Sequence, residues 1–129
     1  MIYGIGTDII ETSRIQSAVE KYGDRFLSRI YTPLEIEYCN SFNDTRFIHF
    51  AARFAAKESF SKAIGTGITQ GFKFKEISIQ NLESGKPEVI LDGELKNKYG
   101  HLKIHISLSH SDTNSVAFLI LENVDDKIS

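Results

Sequence analysis

Glu58 and Lys62 stand one helical turn apart in the segment RFIHFAARFAAKESFSKAIGTG, which begins at Arg46. At about 100° per residue Glu58 falls among Phe47, Ala51 and Phe54, so a carboxylate emerges on an apolar face, where an unpaired charge is costly to desolvate. It needs a cation. An i,i+4 pair with Lys62 has the favourable orientation and is one answer. A bound metal is the other. Asp8 closes the apolar, glycine-bearing stretch MIYGIGTDII, and two carboxylates completed by phosphate oxygens and waters suit Mg²⁺. Nothing in the spacing brings residues 8 and 58 together, and Asp8 serves equally as a cap for the helix that follows it.

Arg53 and Lys57 share a different face of the same helix, with no acidic neighbour at helical spacing. They either receive phosphates or form an exposed basic edge. Just past the helix, Gly65, Thr66 and Gly67 allow a ligand to approach backbone amides. Ser109 and His110 end an alternating stretch ahead of the turn residues Ser111, Asp112, Thr113 and Asn114. Successive strand side chains point to opposite faces, so Ser109 and His110 do not make a nucleophile–base pair, which argues against a serine hydrolase. His49, His101 and His105 lack metal-ligand spacing, which argues against a zinc site. Arg14, Lys21, Arg25 and Arg29 project to one side of the first helical segment, away from Glu20 and Asp24. This basic ridge is either a solvated face or a dock for an acidic partner, and Gly23 interrupts it.

The elements that must position these residues follow from periodicity. Met1 to Ile10 reads as a buried strand whose Gly4 and Gly6 admit a close neighbour. From about Thr12 the pattern becomes helical, with Ile15, Val19, Tyr22, Phe26 and Ile30 as the core stripe and a bend or restart at Gly23 and Asp24. Thr32, Pro33 and Glu35 form a capping box with proline at the first helical position, starting a short helix to about Asn40. The long helix begins after Asn43 or Asp44 and stops at Gly65, a left-handed cap. Phe74 to Gln80 and Val89 to Leu91, joined through Gly85, read as a hairpin. Asp92 caps a short helix through Lys98, and Ile104, Ile106 and Leu108 precede a last strand from Ser115 to Leu121. The order predicts an α+β fold, a mainly antiparallel sheet packed on a long central helix.

The chain has 129 residues, 41% hydrophobic and 25% charged, the size and balance of a single domain spanning 1–129. Cys39 is the one cysteine, which excludes an internal disulfide. Fifteen Lys and Arg against 17 Asp and Glu give a net charge of -2, without the bulk basic footprint of a nucleic-acid binder. No apolar run approaches a membrane span and no stretch resembles a signal peptide, so a cytoplasmic location is expected. Asp125 to Ser129 reads as a frayed polar tail.

Three segments, GIGTDIIE at Gly4 to Glu11, RFAAKESFSKAIGTG at Arg53 to Gly67 and SLSHSDTNSVAF at Ser107 to Phe118, together resemble the small holo-[acyl-carrier-protein] synthase family of 4'-phosphopantetheinyl transferases. The resemblance covers essentially the whole chain; Ser59 stands where many members have Ala. It implies transfer of 4'-phosphopantetheine from coenzyme A to a serine of apo acyl carrier protein, for fatty acid biosynthesis. By similarity Asp8 and Glu58 hold Mg²⁺, and Arg53, Lys57, Lys62, Gly65, Ser109 and His110 contact coenzyme A. Glu58 is then the candidate base, with Lys62 stabilising the leaving phosphate, although a carboxylate of the carrier protein is an alternative base. The resemblance also implies a homotrimer with active sites between subunits, and gives the ridge Arg14, Lys21, Arg25 and Arg29 an acidic carrier protein as partner. Without it, the residues fit an Mg²⁺-dependent nucleotide-binding module, or an adaptor that binds an acidic protein through its first helix.

Overall fold

A computed structural model describes residues 1–67 and 72–124; the tail expected at Asp125 to Ser129 lies outside the described residues. The chain runs β1 (Ile2–Glu11), α1 (Thr12–Tyr22), α2 (Asp24–Ile30), α3 (Pro33–Asn40), α4 (Arg46–Ala63), β2 (Ile77–Asn81), β3 (Pro87–Leu91), α5 (Gly93–Tyr99), β4 (Lys103–His110) and β5 (Asn114–Glu122). Strands β1, β5 and β4 form an antiparallel sheet in that order, and β2 and β3 form a separate hairpin. The α+β expectation holds, with one long helix against an antiparallel sheet.

The contact between α4 and β1 places the chemistry. A β-carbon at Gly4 would collide with the carbonyl oxygen of Ala63, and one at Gly6 with that of Ser59. Small residues on the facing side of the helix, Ala52, Ala55, Ala56, Ser59 and Ala63, are all buried. Helix backbone and strand backbone therefore meet with nothing between them, closer than larger side chains allow. Ser59 donates to the carbonyl of Ala117 at 3.2 Å, so its buried hydroxyl is satisfied.

The local signals resolve as follows. The Thr32–Glu35 capping box is present, with Pro33 opening α3, and Asp92 caps α5 by accepting from the amide of Gly93. Gly65 adopts φ 89° just beyond α4. Two expectations change. Strand β1 is an edge strand, covered on the α4 side but open on the other, where Ile5 and Ile9 are exposed; its apolar composition could not tell coverage on one side from coverage on both. Gly23, at φ 56°, ends α1 and starts α2, the restart expected there, but Tyr22 does not belong to the core stripe: it is exposed, while Ile15 and Ile30 are buried.

Candidate active site

Asp8 projects from the α4-facing side of β1, and its Oδ1 accepts from Lys62 Nζ at 3.0 Å. The same ammonium donates to the carbonyl of Thr7 at 3.2 Å. The i,i+4 pair expected between Glu58 and Lys62 is thus replaced by a bridge from α4 to β1. Asp8 does not cap α1 either: Glu11 occupies the cap position, without a side-chain bond. Lys62 is half exposed and Asp8 largely covered.

Glu58 stands one turn before Lys62 on α4, half-buried. Burial pushes its carboxylic acid above the ordinary range, and the nearby Asp8 charge adds to this, opposed by Lys62 and Arg14. The structure therefore brings together residues 8 and 58, which spacing alone could not. It adds Arg14, assigned from sequence only to the basic ridge, as a cation near Glu58. Two carboxylates held close at the cost of mutual repulsion are a site prepared for positive charge. Among the described residues no cluster of three or more His, Cys, Asp or Glu forms a metal cage, so a cation placed between Asp8 and Glu58 would have two protein carboxylates and open remaining positions.

Arg53 and Lys57 form no exposed edge. Both are buried, and Lys57 pairs with Glu35 at 2.7 Å with neither side chain exposed. All three donors of its ammonium are occupied, by Glu35 Oε1, the carbonyl of Ile30 at 2.7 Å and the carbonyl of Phe74 at 3.1 Å. This corrects the placement of Lys57 among the coenzyme contacts, because it presents no free N–H to a phosphate. Its acid comes from α3, 22 residues away in sequence, where helical spacing offers no sign of it. Arg53 lies over the ring of Tyr38 at 4.3 Å and bonds the side-chain oxygen of Asn81; among the described residues its Nε has no partner.

Ser109 and His110 end β4, both exposed. Asp8 lies opposite Ala117 of β5, which lies opposite Leu108 of β4, so β5 separates Asp8 from Ser109 and His110 by about 10 Å at the usual strand spacing. The His110 ring is 6.4 Å from that of His49, which stacks on Phe42 at 3.6 Å. Burial, Arg53 and His110, in that order, hold the His49 imidazole below its ordinary value. The spacing of His49 from the other histidines, which argues only against a zinc site, gives no sign of this cationic, aromatic corner.

Arg14, Lys21, Arg25 and Arg29 are all exposed, but they occupy two helices. Arg25 and Arg29 line a hollow of about 370 Å³ with Tyr22 and Phe26, and the Lys21 ammonium sits 5.3 Å from the Tyr22 ring centroid. Gly65 and Gly67 follow α4 with positive φ, and the amide of Gly67 donates to the carbonyl of Ser61 at 3.0 Å.

A family profile described as the 4'-phosphopantetheinyl transferase superfamily matches residues 4–119. The chain belongs to that superfamily. A holo-[acyl-carrier-protein] synthase of Clostridium kluyveri is 46% identical over 125 residues, covering 95% of this chain and 91% of its own. A solved holo-(acyl-carrier-protein) synthase of Bacillus anthracis, in complex with CoA, superposes with a TM-score of 0.81 at 39% identity, over 95% of this chain and 98% of that one. The corresponding structure from Neisseria meningitidis gives 0.83 at 37%, over 95% and 99%. These likenesses place the chain among the holo-[acyl-carrier-protein] synthases of the superfamily and make it an enzyme, a phosphopantetheinyl transferase. They decide against the two noncatalytic readings. No helix of the described residues is long and apolar enough to cross a membrane.

Proposed function

We propose that this chain transfers the 4'-phosphopantetheine group of coenzyme A to a serine hydroxyl of an apo acyl carrier protein, releasing adenosine 3',5'-bisphosphate. It does so in the cytoplasm, for fatty acid biosynthesis, with residues 1–129 working as one domain. The observation that carries the reading is the meeting of Asp8, Glu58 and Lys62 where β1 crosses α4, in a chain whose relatives bear the name of that activity.

The serine oxygen forms a bond to the phosphorus of the pantetheine phosphate as the bridging P–O bond of the pyrophosphate breaks, and the electron pair leaves on the 5'-phosphate of the nucleotide. Such a transfer asks a protein mainly for positioning and neutralisation of charge. Glu58 receives the serine proton; a carboxylate raised above the ordinary range by burial and by Asp8 is a better acceptor near neutral pH than an exposed one. Lys62, oriented by Asp8 and the Thr7 carbonyl, sets a positive charge beside the leaving phosphate. Gly65 offers backbone, and Arg53, Ser109 and His110 supply further coenzyme contacts. The two carboxylates fit Mg²⁺, a hard cation that commonly takes one or two protein carboxylates and fills its other positions with phosphate and water. Bound there, it would neutralise the pyrophosphate.

Since β5 stands between Asp8 and His110, active sites at the subunit boundaries of a homotrimer would unite the two sets. The open face of the sheet supports this: Ile5, Ile9 and Phe118 are exposed on it, an apolar surface suited to burial against another copy. Sedimentation at micromolar concentration tests it, and a strictly monomeric active enzyme would remove the shared site.

The reaction is tested by intact mass spectrometry of an apo acyl carrier protein incubated with the enzyme, coenzyme A and Mg²⁺. The expected result is a gain of one phosphopantetheine that disappears with a chelator and with Glu58→Gln. Coenzyme A binding without any gain on several carriers would overturn the acyl carrier protein as acceptor.

A further inference from the structure

Lys57 and Glu35 form a saturated pair. The Lys57 ammonium binds Glu35, the carbonyl of Ile30 and the carbonyl of Phe74. Glu35 Oε1 also accepts from the amide of Thr32 at 2.9 Å, and Oε2 accepts from the amide of Ile79 at 2.8 Å. One ion pair thus joins the end of α2, the start of α3, the middle of α4, the approach to β2 and β2 itself. Removing two charges from water is expensive, and a buried pair adds little stability over apolar residues of the same volume. Its value here is geometric.

Phe74 leads into β2, and its ring stacks with Phe54 of α4 at 5.7 Å. Gly67, just beyond α4, is held to the same helix through its amide to the carbonyl of Ser61. Ser61 is one turn beyond Lys57, and Lys62 and Glu58 occupy the neighbouring face. We propose that Lys57 and Glu35 are positioning residues that clamp Phe74 and the start of β2 onto α4. They thereby hold in place the helix that carries Lys62 and Glu58, while Lys57 itself touches no substrate. Only the kinetic arm of the test rests on the transferase reading.

The discriminating feature is the sign of charge. A lysine that contacts phosphate and a glutamate that competes with it give opposite effects on coenzyme A binding when neutralised; two halves of a clamp give the same effect. The variants are Lys57→Met, Glu35→Gln and the double variant. Measurements are hydrogen exchange at the amides of residues 72–76, melting temperature, and kcat and KM for coenzyme A. Both single variants are expected to speed exchange and lower kcat about tenfold, with KM changing less than about threefold, and the double variant recovers most of the melting temperature. A rise of about tenfold in KM for Lys57→Met, with wild-type kcat and exchange and a silent Glu35→Gln, overturns the clamp. If a single variant does not fold, the double variant is read in its place: kcat lowered about tenfold with KM changed less than about threefold supports the clamp, and wild-type kcat or a raised KM overturns it. Failure of the double variant to fold as well overturns the treatment of the two residues as one unit. If the wild type modifies no carrier protein, the transferase reading fails, and exchange and melting still decide the clamp.

Discussion

Gly6 of β1 lies directly against the carbonyl oxygen of Ser59 in α4, with the amide of Ala63 beside it. Both obstacles to a larger residue are backbone, which cannot rotate away. Gly6→Ala is therefore expected to cost about 3 kcal/mol, the upper end of ordinary overpacking. The melting temperature falls by roughly 10 °C for a chain of this size. Because Asp8 is two residues further along the strand, turnover falls with it. Gly85→Ala is the control: it has open space around it at φ 90°, so it costs only about 1–2 kcal/mol of left-handed strain and leaves turnover intact. Equal losses of activity in the two variants would show that the Gly6 contact does not position the site.

Glu58 separates stability from function. Its raised pKa means that the folded state disfavours the ionised form, so its stabilising contribution is present at low pH and is lost as pH rises through the folded value. At neutral pH in EDTA, Glu58→Gln is expected to melt higher than the wild type while turnover falls by about 10²–10⁴-fold, the range for loss of a general base. Addition of millimolar Mg²⁺ should raise the wild-type melting temperature, since a ligand bound only to the folded state stabilises it, and leave that of Glu58→Gln nearly unmoved. An equal rise in both proteins would place the cation elsewhere.

Those two carboxylates show what was legible before folding. Composition and helical projection marked Glu58 as a charge in need of a partner, and Asp8 as a second acid at the end of a glycine-bearing strand. Caps and stops were equally readable, because Thr32, Pro33, Glu35, Asp92 and Gly65 act within a few residues of themselves. Long-range pairing was not. Lys62 bonds Asp8 across 54 residues and Lys57 bonds Glu35 across 22, so helical spacing first paired Lys62 with Glu58 and left Lys57 without an acid. Glu35 carried a real local signal, its capping box, which concealed its second task. The open face of β1 was hidden for another reason: isoleucines are the same whether a helix, another copy or water faces them.

His49 gives the protein a pH response. Burial, Arg53 and His110 hold its pKa below the ordinary 6.5, so the unfolded chain takes up a proton more readily than the folded one. Stability is then expected to fall as pH drops through 6.5, and to keep falling until pH passes below the folded value. Thermal unfolding between pH 8 and 5.5 measures this decline, and His49→Gln should flatten it. An unchanged slope in His49→Gln would assign the response to other groups.

The basic residues of α1 and α2 are expected to act on the carrier protein and, in one case, on the chemistry as well. Reversing Arg25 and Arg29, which flank the hollow with Tyr22 and Phe26, should raise KM for the carrier about tenfold at low salt with kcat unchanged. The effect should shrink as salt approaches 1 M, where the screening length falls to about 3 Å. Arg14 differs because its charge lowers the pKa of Glu58. Arg14→Gln should therefore move the acidic limb of the kcat profile to higher pH, besides raising KM for the carrier. Reversal of Arg14 and Arg25 that leaves KM for the carrier unchanged at low salt would remove the ridge from docking. A shifted limb with unchanged KM would instead assign Arg14 to the site and not to the carrier surface.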